Sequence, residues 1–154
     1  MKPDKRRAIT GQLNKAVRLC AENGARLTAL RQEALRLILS ADGPLTAYQL
    51  LNQLKETRKN AVPPTVYRTL EFLLENRLIH RIERLNAFIP CTEAEHEHHA
   101  VQFLICGQCG AVAEIEDPAV SRALESAAEK QGFRTSAAMV ELDGTCASCA
   151  AAQH

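Results

Sequence analysis

The sequence predicts an α+β protein with an amino-terminal winged helix-turn-helix domain and a small carboxy-terminal α/β domain that holds a four-cysteine site. Three observations lead to this fold class. Four segments with helical spacing of apolar residues precede two short apolar segments typical of a β-hairpin. Two Cys-x2-Cys motifs lie near the end of the chain. Residues 1–90 have a net charge of +8 and residues 91–154 a net charge of −7, so the two halves differ in kind.

Length and composition limit the possible classes. The 154 residues are enough for one compact domain or two small ones. Hydrophobic residues make up 46% and charged residues 24% of the chain, which excludes a disordered or low-complexity protein. No apolar run approaches the roughly 18 residues of a membrane span, and no apolar signal core follows residues 1–7. We expect a cytosolic protein whose six cysteines are metal ligands or redox thiols, with no membrane partner.

The first two helices are predicted from apolar spacing and stop signals. Apolar residues recur at helical spacing between Leu13 and Cys20, and the Asn-Gly pair at 23–24 ends this helix. Thr28 is suited to cap a second helix, whose apolar stripe includes Leu30, Ala34, Leu37 and Ile38. The Gly-Pro pair at 43–44 ends it.

The third helix has the clearest start signal. Thr46 and Gln49 have the spacing of a capping box, in which each side chain satisfies a backbone amide of the first turn. Leu45 and Leu50 can pack together as the flanking hydrophobic staple. The helix is predicted to run to about Arg58.

The fourth helix is predicted to bind a ligand through its polar face. Prolines at 63–64 start it, and its apolar stripe is formed by Val66, Leu70, Leu73 and Leu74. Its polar face presents Thr65, Tyr67 and Arg68, which can donate to phosphates and base edges. The amino terminus of the helix is also expected to favour anions. Segments 78–83 and 87–91 then form the hairpin that completes a winged helix-turn-helix.

The positive charge of residues 1–90 favours duplex DNA as the partner of this domain, because neutralised phosphates release counterions. Single-stranded nucleic acid is disfavoured, since the chain has no Trp and only two Tyr and four Phe for stacking. The alternative is a helical mini-domain whose exposed Arg and Tyr side chains only keep it soluble.

The two Cys-x2-Cys motifs predict a structural zinc site. Its ligands would be Cys106, Cys109, Cys146 and Cys149, a set of four thiolates that suits tetrahedral zinc and leaves no open position for catalysis. The alternative is a pair of redox dithiols. Between the motifs, alternation predicts strands near 101–105, 111–116 and 138–142, with a helix between the last two that starts at Asp117 and ends near Gly132.

A second group of possible metal ligands lies around the boundary of the two halves. It consists of His80, Cys91, His96, His98, His99 and Glu114. Tetrahedral zinc needs four ligands, and His80, Cys91, His99 and Glu114 would draw on both halves of the chain. Spacing alone does not select these four, and isolated histidines are often solvated or structural.

With these motifs assembled, the sequence resembles the ferric uptake regulator family and, within it, the zinc uptake regulator branch. The resemblance runs from about Leu13 to Cys149. It rests on Pro-Thr-Val-Tyr-Arg-Thr-Leu at 64–70, the His-rich stretch ending at His99, Cys-Gly-Gln-Cys-Gly at 106–110 and Cys-Ala-Ser-Cys at 146–149. It implies a winged-helix DNA-binding domain over residues 1–90, a hinge over 91–98 and a zinc-binding dimerisation domain over 99–154.

The resemblance also implies two zinc ions per chain and a homodimer. The structural ion would lie at the four cysteines, and the regulatory ion at His80, Cys91, His99 and Glu114. Relatives that sense iron or peroxide usually continue the His-rich stretch with further His and Asp, whereas this chain reads Ala-Val-Gln-Phe at 100–103. The thiolate of Cys91 also favours zinc over a hard, oxygen-rich site.

The function that we expect is a zinc-responsive repressor that binds a pseudo-palindromic double-stranded operator, with Tyr48, Thr65, Tyr67 and Arg68 as DNA contacts and no small-molecule substrate. An iron or peroxide sensor on the same scaffold is the main alternative. A zinc hydrolase is disfavoured, because His-Glu-His-His-Ala at 96–100 lacks the final histidine of His-Glu-x-x-His. The zinc deaminase motif is likewise missing.

Overall fold

The computed structural model describes residues 2–91 and 100–152, which fall in two units, Met1–Ala94 and Glu95–His154. The first unit contains helices α1 (Pro3–Glu22), α2 (Ala29–Ser40), α3 (Ala47–Thr57) and α4 (Pro63–Glu75), and strands β1 (Leu45–Thr46), β2 (Ile79–Ile82) and β3 (Ala87–Pro90). The second contains strands β4 (Val101–Cys106), β5 (Val112–Ile115) and β6 (Met139–Gly144), and helices α5 (Pro118–Glu129) and α6 (Ala147–Ala151). None of the described helices is long and apolar enough to cross a bilayer.

The helix caps of the first unit follow the sequence prediction. The hydroxyl of Thr28 accepts a hydrogen bond from the backbone amide of Arg31, and Thr46 and Gln49 form both bonds of the capping box. The first helix is longer than predicted, since it begins at Pro3. Its first two turns carry charged, exposed side chains, so apolar spacing does not reveal them, although Ile9 is buried.

The core of the first unit is apolar and draws on every helix. Leu50 and Leu54 of α3 and Leu70 and Leu73 of α4 are at most 2% exposed, and they pack in one cluster with Ile38 of α2. By area, each such side chain stabilises the fold by roughly 1.5–3 kcal/mol relative to an exposed position. This burial fixes which face of α4 points outward.

A short strand before α3 extends the predicted hairpin into a three-stranded sheet. β2 and β3 are antiparallel, with His80 opposite Ile89, and β1 pairs with the other edge of β3 through Leu45 and Phe88. The sequence prediction missed β1 because its two residues carry the signal of a helix cap. This sheet closes the winged helix-turn-helix of the first unit.

The second unit is a small α/β structure with strand order β5-β4-β6. β4 and β5 are antiparallel, whereas β4 and β6 are parallel, with Leu104 beside Leu142 and Cys106 beside Gly144. The parallel pair requires a long connection, which β5 and α5 provide. Asp117 caps α5 as predicted, by accepting a hydrogen bond from the amide of Ala119.

Burial in the second unit departs from simple alternation. Phe103 and Ile105 are buried as the pattern predicts, but Gln102 on the other face of β4 is only 1% exposed. Its side-chain amide donates to the carbonyl oxygen of Asp117, which fixes the start of α5 against the sheet. The sequence prediction also did not include α6, which is five residues long.

Candidate metal centre and nucleic-acid interface

The four cysteines of the two Cys-x2-Cys motifs meet at one end of the second sheet. Cys106 is the last residue of β4, and Cys146 is the N-cap residue of α6, directly after β6. The backbone amide of Gly107 donates to the carbonyl oxygen of Gly144 at 2.9 Å. The parallel pairing of β4 and β6 therefore brings the two Cys-x2-Cys motifs close together. Gly110, with φ of +72°, closes the first turn by donating to the carbonyl of Cys106.

The sulfur atoms of this cluster have the spacing of a zinc site. The Sγ atoms of Cys106, Cys109, Cys146 and Cys149 all lie within 4.8 Å of one another, and those of Cys109 and Cys146 are 3.8 Å apart. Four sulfurs at about 2.3 Å from a tetrahedral zinc ion would be about 3.8 Å apart. Among the residues that the structure describes, this is the one group of three or more potential ligands that can hold an ion.

The pKa values of the cysteine thiols explain why this cluster can bind a cation. The backbone amides of Cys109, Cys146 and Gln108 donate to the sulfur of Cys106 and lower its pKa to about 6. Hydrogen bonds to the thiols of Cys146 and Cys109, together with burial and the charge of Cys106, raise the pKa of Cys149 to about 12. The protein amides thus stabilise the first thiolate, and a divalent cation would supply the charge that further thiolates need.

Two of the predicted regulatory ligands lie on the hairpin of the first unit. His80 is in the middle of β2, and Cys91 follows β3, where its amide donates to the carbonyl of Leu78 at 3.0 Å. Cys91 therefore continues the ladder opposite Leu78, which places it on the same face as His80 in a diagonal cross-strand position, where neighbouring residues are about 7–8 Å apart. Burial lowers the pKa of His80, which favours the neutral imidazole that metals bind.

Of the other two predicted ligands, the structure describes only Glu114. Glu114 lies on β5 of the second unit, opposite Phe103 of β4, and is partly buried. His99, like His96 and His98, lies outside the described residues. The four ligands of the predicted regulatory site therefore remain an expectation from the sequence.

The candidate DNA contacts lie on the exposed sides of α3 and α4. Tyr48 is 73% exposed and Tyr67 is 57% exposed, so both side chains are accessible to a partner. Arg68 is also exposed, whereas Thr65 is partly buried. The apolar stripe of α4 packs inward, so its polar face is presented outward as the sequence predicts.

The amino terminus of α4 has fewer free backbone N–H groups than the helix termini that usually bind anions. Pro63 and Pro64 have no N–H group, and the amides of Thr65 and Val66 both donate to the carbonyl of Val62, at 3.0 and 3.3 Å. The first turn therefore has no spare backbone donor. The two prolines therefore weaken the expected helix-terminus anion site, and we expect contacts to phosphate at this end of α4 to come mainly from side chains.

Sequence reasoning missed one polar contact beside this surface. Glu33 of α2 accepts hydrogen bonds from the hydroxyl of Thr57 and, at 2.6 Å, from Nε of Arg58, at the end of α3. Its side chain is 20% exposed. A glutamate within a helix gives no signal for partners 24 and 25 positions later, so no sequence pattern could have found this contact.

Comparison with known proteins agrees with this geometry. The sequence pattern of the Ferric uptake regulator family matches residues 22–143, which is most of both units. The chain belongs to the ferric uptake regulator family. Members of this family are transcription regulators and not enzymes, so the chain is a regulator.

Several relatives within the ferric uptake regulator family, including those with the higher identities, are named for zinc. The Zinc uptake regulation protein of Escherichia coli is 39% identical over 137 residues, which cover 89% of this chain and 80% of that protein. A zinc uptake regulator solved in complex with zinc and DNA is 37% identical, with a TM-score of 0.88 over 94% of this chain and 97% of that chain. A crystal structure of holo XcZur is 42% identical, with a TM-score of 0.81 over 90% of this chain and 96% of that chain.

Proposed function

We propose that the chain is a zinc-responsive transcriptional repressor whose zinc-loaded homodimer binds a pseudo-palindromic operator and represses zinc uptake genes in the cytoplasm. The observation that carries this proposal is the similarity, over 94% of the chain, to a zinc uptake regulator bound to zinc and DNA. The zinc-like spacing of the four sulfurs supports it independently.

The structural zinc ion is assigned to Cys106, Cys109, Cys146 and Cys149. Four thiolates fill the coordination sphere of zinc, so this ion stabilises the fold and does not react with a substrate. Because the ligands come from both ends of the second unit, binding free energy at this site is largely folding free energy.

The regulatory zinc ion is assigned to His80, Cys91, His99 and Glu114, which makes two ions per chain. The shared face of His80 and Cys91 on the hairpin supports the first half of this assignment. The second half rests on the family resemblance. In this proposal residues 1–90 bind DNA, residues 91–98 are the hinge and residues 99–154 form the dimer, and zinc at the hinge holds the two DNA-binding domains at the spacing of successive major-groove half-sites.

Zinc and DNA must then favour the same state. If the DNA-competent state binds zinc a hundredfold more tightly than the other state, the coupling free energy is about 2.7 kcal/mol. Coupling is reciprocal, so operator DNA tightens zinc binding by the same factor.

The DNA contacts are assigned to Tyr48, Thr65, Tyr67 and Arg68. Arg68 is the candidate for guanine, because its planar fork can donate to both acceptors of that base in the major groove. Its exposure supports this role, as does the absence of any hydrogen bond or ion pair from its side chain to another described residue.

The homodimer is assigned to the second unit, in keeping with the family, whose members are dimeric. Leu104 and Leu142 are neighbours on the sheet and are 41% and 52% exposed, and Leu124 of α5 is 38% exposed. Adjacent exposed leucines are typical of surfaces that bind a partner.

The decisive experiment measures binding of the purified chain to a random duplex library at buffered free zinc and, separately, at buffered ferrous iron. The proposal expects a selected operator that is bound at much lower free zinc than free iron. Activation by iron at the lower concentration would assign the chain to the iron sensors of the family. Equal binding to the operator after chelation of zinc would show that zinc does not regulate DNA binding.

A further inference from the structure

Glu33 connects α2 to the junction between the two helices of the helix-turn-helix. Its carboxylate accepts hydrogen bonds from Thr57, the last residue of α3, and from Nε of Arg58 at 2.6 Å. Residues 58–62 make up the whole turn from α3 to α4. Glu33 therefore fixes the residue at which this turn begins.

Arg58 lies beside the first turn of α4. An open groove is lined by Arg58, Lys59 and Asn60 of the turn and by Thr65 of α4. If α4 enters the major groove, a free cation at this position is within reach of the DNA backbone. The side chain of Arg58 is 43% exposed, and the hydrogen bond from its Nε to Glu33 holds the guanidinium in place.

The charge of Arg58 is balanced within the protein. Hydrogen bonds from Thr57 and Arg58 lower the pKa of Glu33, so this side chain is a carboxylate near neutral pH. Glu33 is the less exposed partner, at 20%, and it is held by two donors from the same segment. The ion pair is thus anchored by the less exposed carboxylate on α2.

We propose that Glu33 is a positioning residue for DNA reading, which commits Arg58 to an internal ion pair, keeps its guanidinium off the phosphate backbone and so raises discrimination between the operator and other DNA. Phosphate contacts add affinity to every sequence alike, and base contacts alone distinguish one sequence from another. Keeping the guanidinium of Arg58 away from the phosphates therefore lowers the affinity for DNA of other sequences. This inference rests on the proposed function, because it requires a chain that reads an operator.

The test uses the zinc-loaded full-length chain and two duplexes: one selected from a random library by the wild-type protein, and one of the same composition with scrambled sequence. Fluorescence anisotropy gives the affinity for each duplex over a series of KCl concentrations. The variants are Glu33→Gln, Arg58→Gln and the double variant with both changes. The matched control is Asp42→Asn, which makes the same change in net charge and releases Lys5 from its 3.0 Å ion pair on α1.

Each of the four variants has its own expected result. Glu33→Gln frees Arg58, so the salt dependence for the scrambled duplex becomes steeper by about 0.9 in log–log slope for each bound chain, and the affinity ratio of the two duplexes falls. The double variant, which has the net charge of the wild type, recovers the wild-type slope. Arg58→Gln alone also keeps the wild-type slope, because Arg58 makes no phosphate contact in the wild-type complex; Asp42→Asn leaves the ratio unchanged.

Other results overturn the proposal. A double variant or Arg58→Gln variant with a slope shallower by about 0.9 per chain means that Arg58 already binds phosphate in the wild type. A Glu33→Gln variant that behaves as the wild type or as Asp42→Asn means that the ion pair has no influence on DNA reading. If Glu33→Gln does not fold, the salt dependence of DNA binding by the Arg58→Gln variant decides the question. An unchanged slope supports the proposal, and a shallower slope overturns it. A wild-type protein that binds both duplexes equally would instead refute the proposed function, whereas a discriminating wild type with an unaffected Glu33→Gln refutes this inference alone.

Discussion

The sulfur atoms of Cys109 and Cys146 lie 3.8 Å apart although the residues are 37 positions apart in the sequence. The parallel pairing of β4 and β6 creates this proximity, because Cys106 at the end of β4 lies beside Gly144, two residues before Cys146. A metal ion at this point would tie the first strand of the second unit to its last helix. The stability of the unit should therefore depend on the ion.

Replacing Cys146 by Ser should remove one zinc ion per chain and unfold the second unit, since metal binding and folding are coupled there. Metal content by mass spectrometry and secondary structure by circular dichroism measure both effects. Cys20→Ala is the control, because Cys20 is buried in α1 of the other unit. Retention of fold and zinc in the Cys146→Ser protein would contradict the assignment.

Replacing Cys91 by Ser should leave one zinc ion per chain and abolish the zinc dependence of DNA binding, because the hinge site loses its thiolate while the four-cysteine site is intact. Zinc stoichiometry and operator affinity at buffered free zinc are the measurements. His96→Gln is the comparison, since the proposed ligand set does not include His96. Unchanged zinc activation of Cys91→Ser would exclude Cys91 from the regulatory site.

Replacing Arg68 by Ala should cost about 1–3 kcal/mol of operator affinity and relax the preference at one base position. Library selection with the variant identifies that position. Arg18→Ala, which removes an exposed arginine from α1, is the matched control. An equal loss of affinity on every duplex would reassign Arg68 to phosphate contact.

Replacing Leu142 by Asp should shift the protein from dimer to monomer, because a carboxylate would be buried in an apolar contact without a partner. Light scattering coupled to size-exclusion chromatography measures the mass. Val17→Asp is a suitable control, since Val17 is 40% exposed but lies on α1 in the first unit. A dimeric Leu142→Asp protein would place the dimer contact elsewhere.

The ion pair of Glu33 should make the first unit sensitive to acid. The pKa of Glu33 is lower in the folded protein than its ordinary value of 4.5, so its stabilising contribution is present above pH 4.5 and is lost as pH falls through the folded pKa. The stability difference between wild type and Glu33→Gln should therefore be constant near neutral pH and shrink below pH 4.5. Urea unfolding followed by tyrosine fluorescence is suitable, because Tyr48 and Tyr67, the two tyrosines of the chain, both lie in the first unit. A difference that grows in acid would contradict the sign of this shift.

Local patterns in the sequence were sufficient for much of the fold. The caps at Thr28, Thr46 and Asp117 each require only a side-chain oxygen and an amide two or three residues later, so they can be recognised from short segments. The same holds for the inward face of α4, which follows from the 3.6-residue period. The start of α1 was missed because its first turns carry charged residues, and β1 because two residues have no measurable period.

The sequence by itself determined the helix and strand types, the opposite charges of the two halves and the identity of the four cysteines, because each depends on composition or on contacts within a few residues. Only the tertiary structure decided that the cysteine sulfurs meet and that Glu33 holds Arg58. The physical reason is the large separation in sequence between the residues that make these contacts. Parallel strand pairing and contacts between helices join residues 25–40 positions apart, and their geometry is set by the packing of whole elements, which no periodicity of the chain encodes.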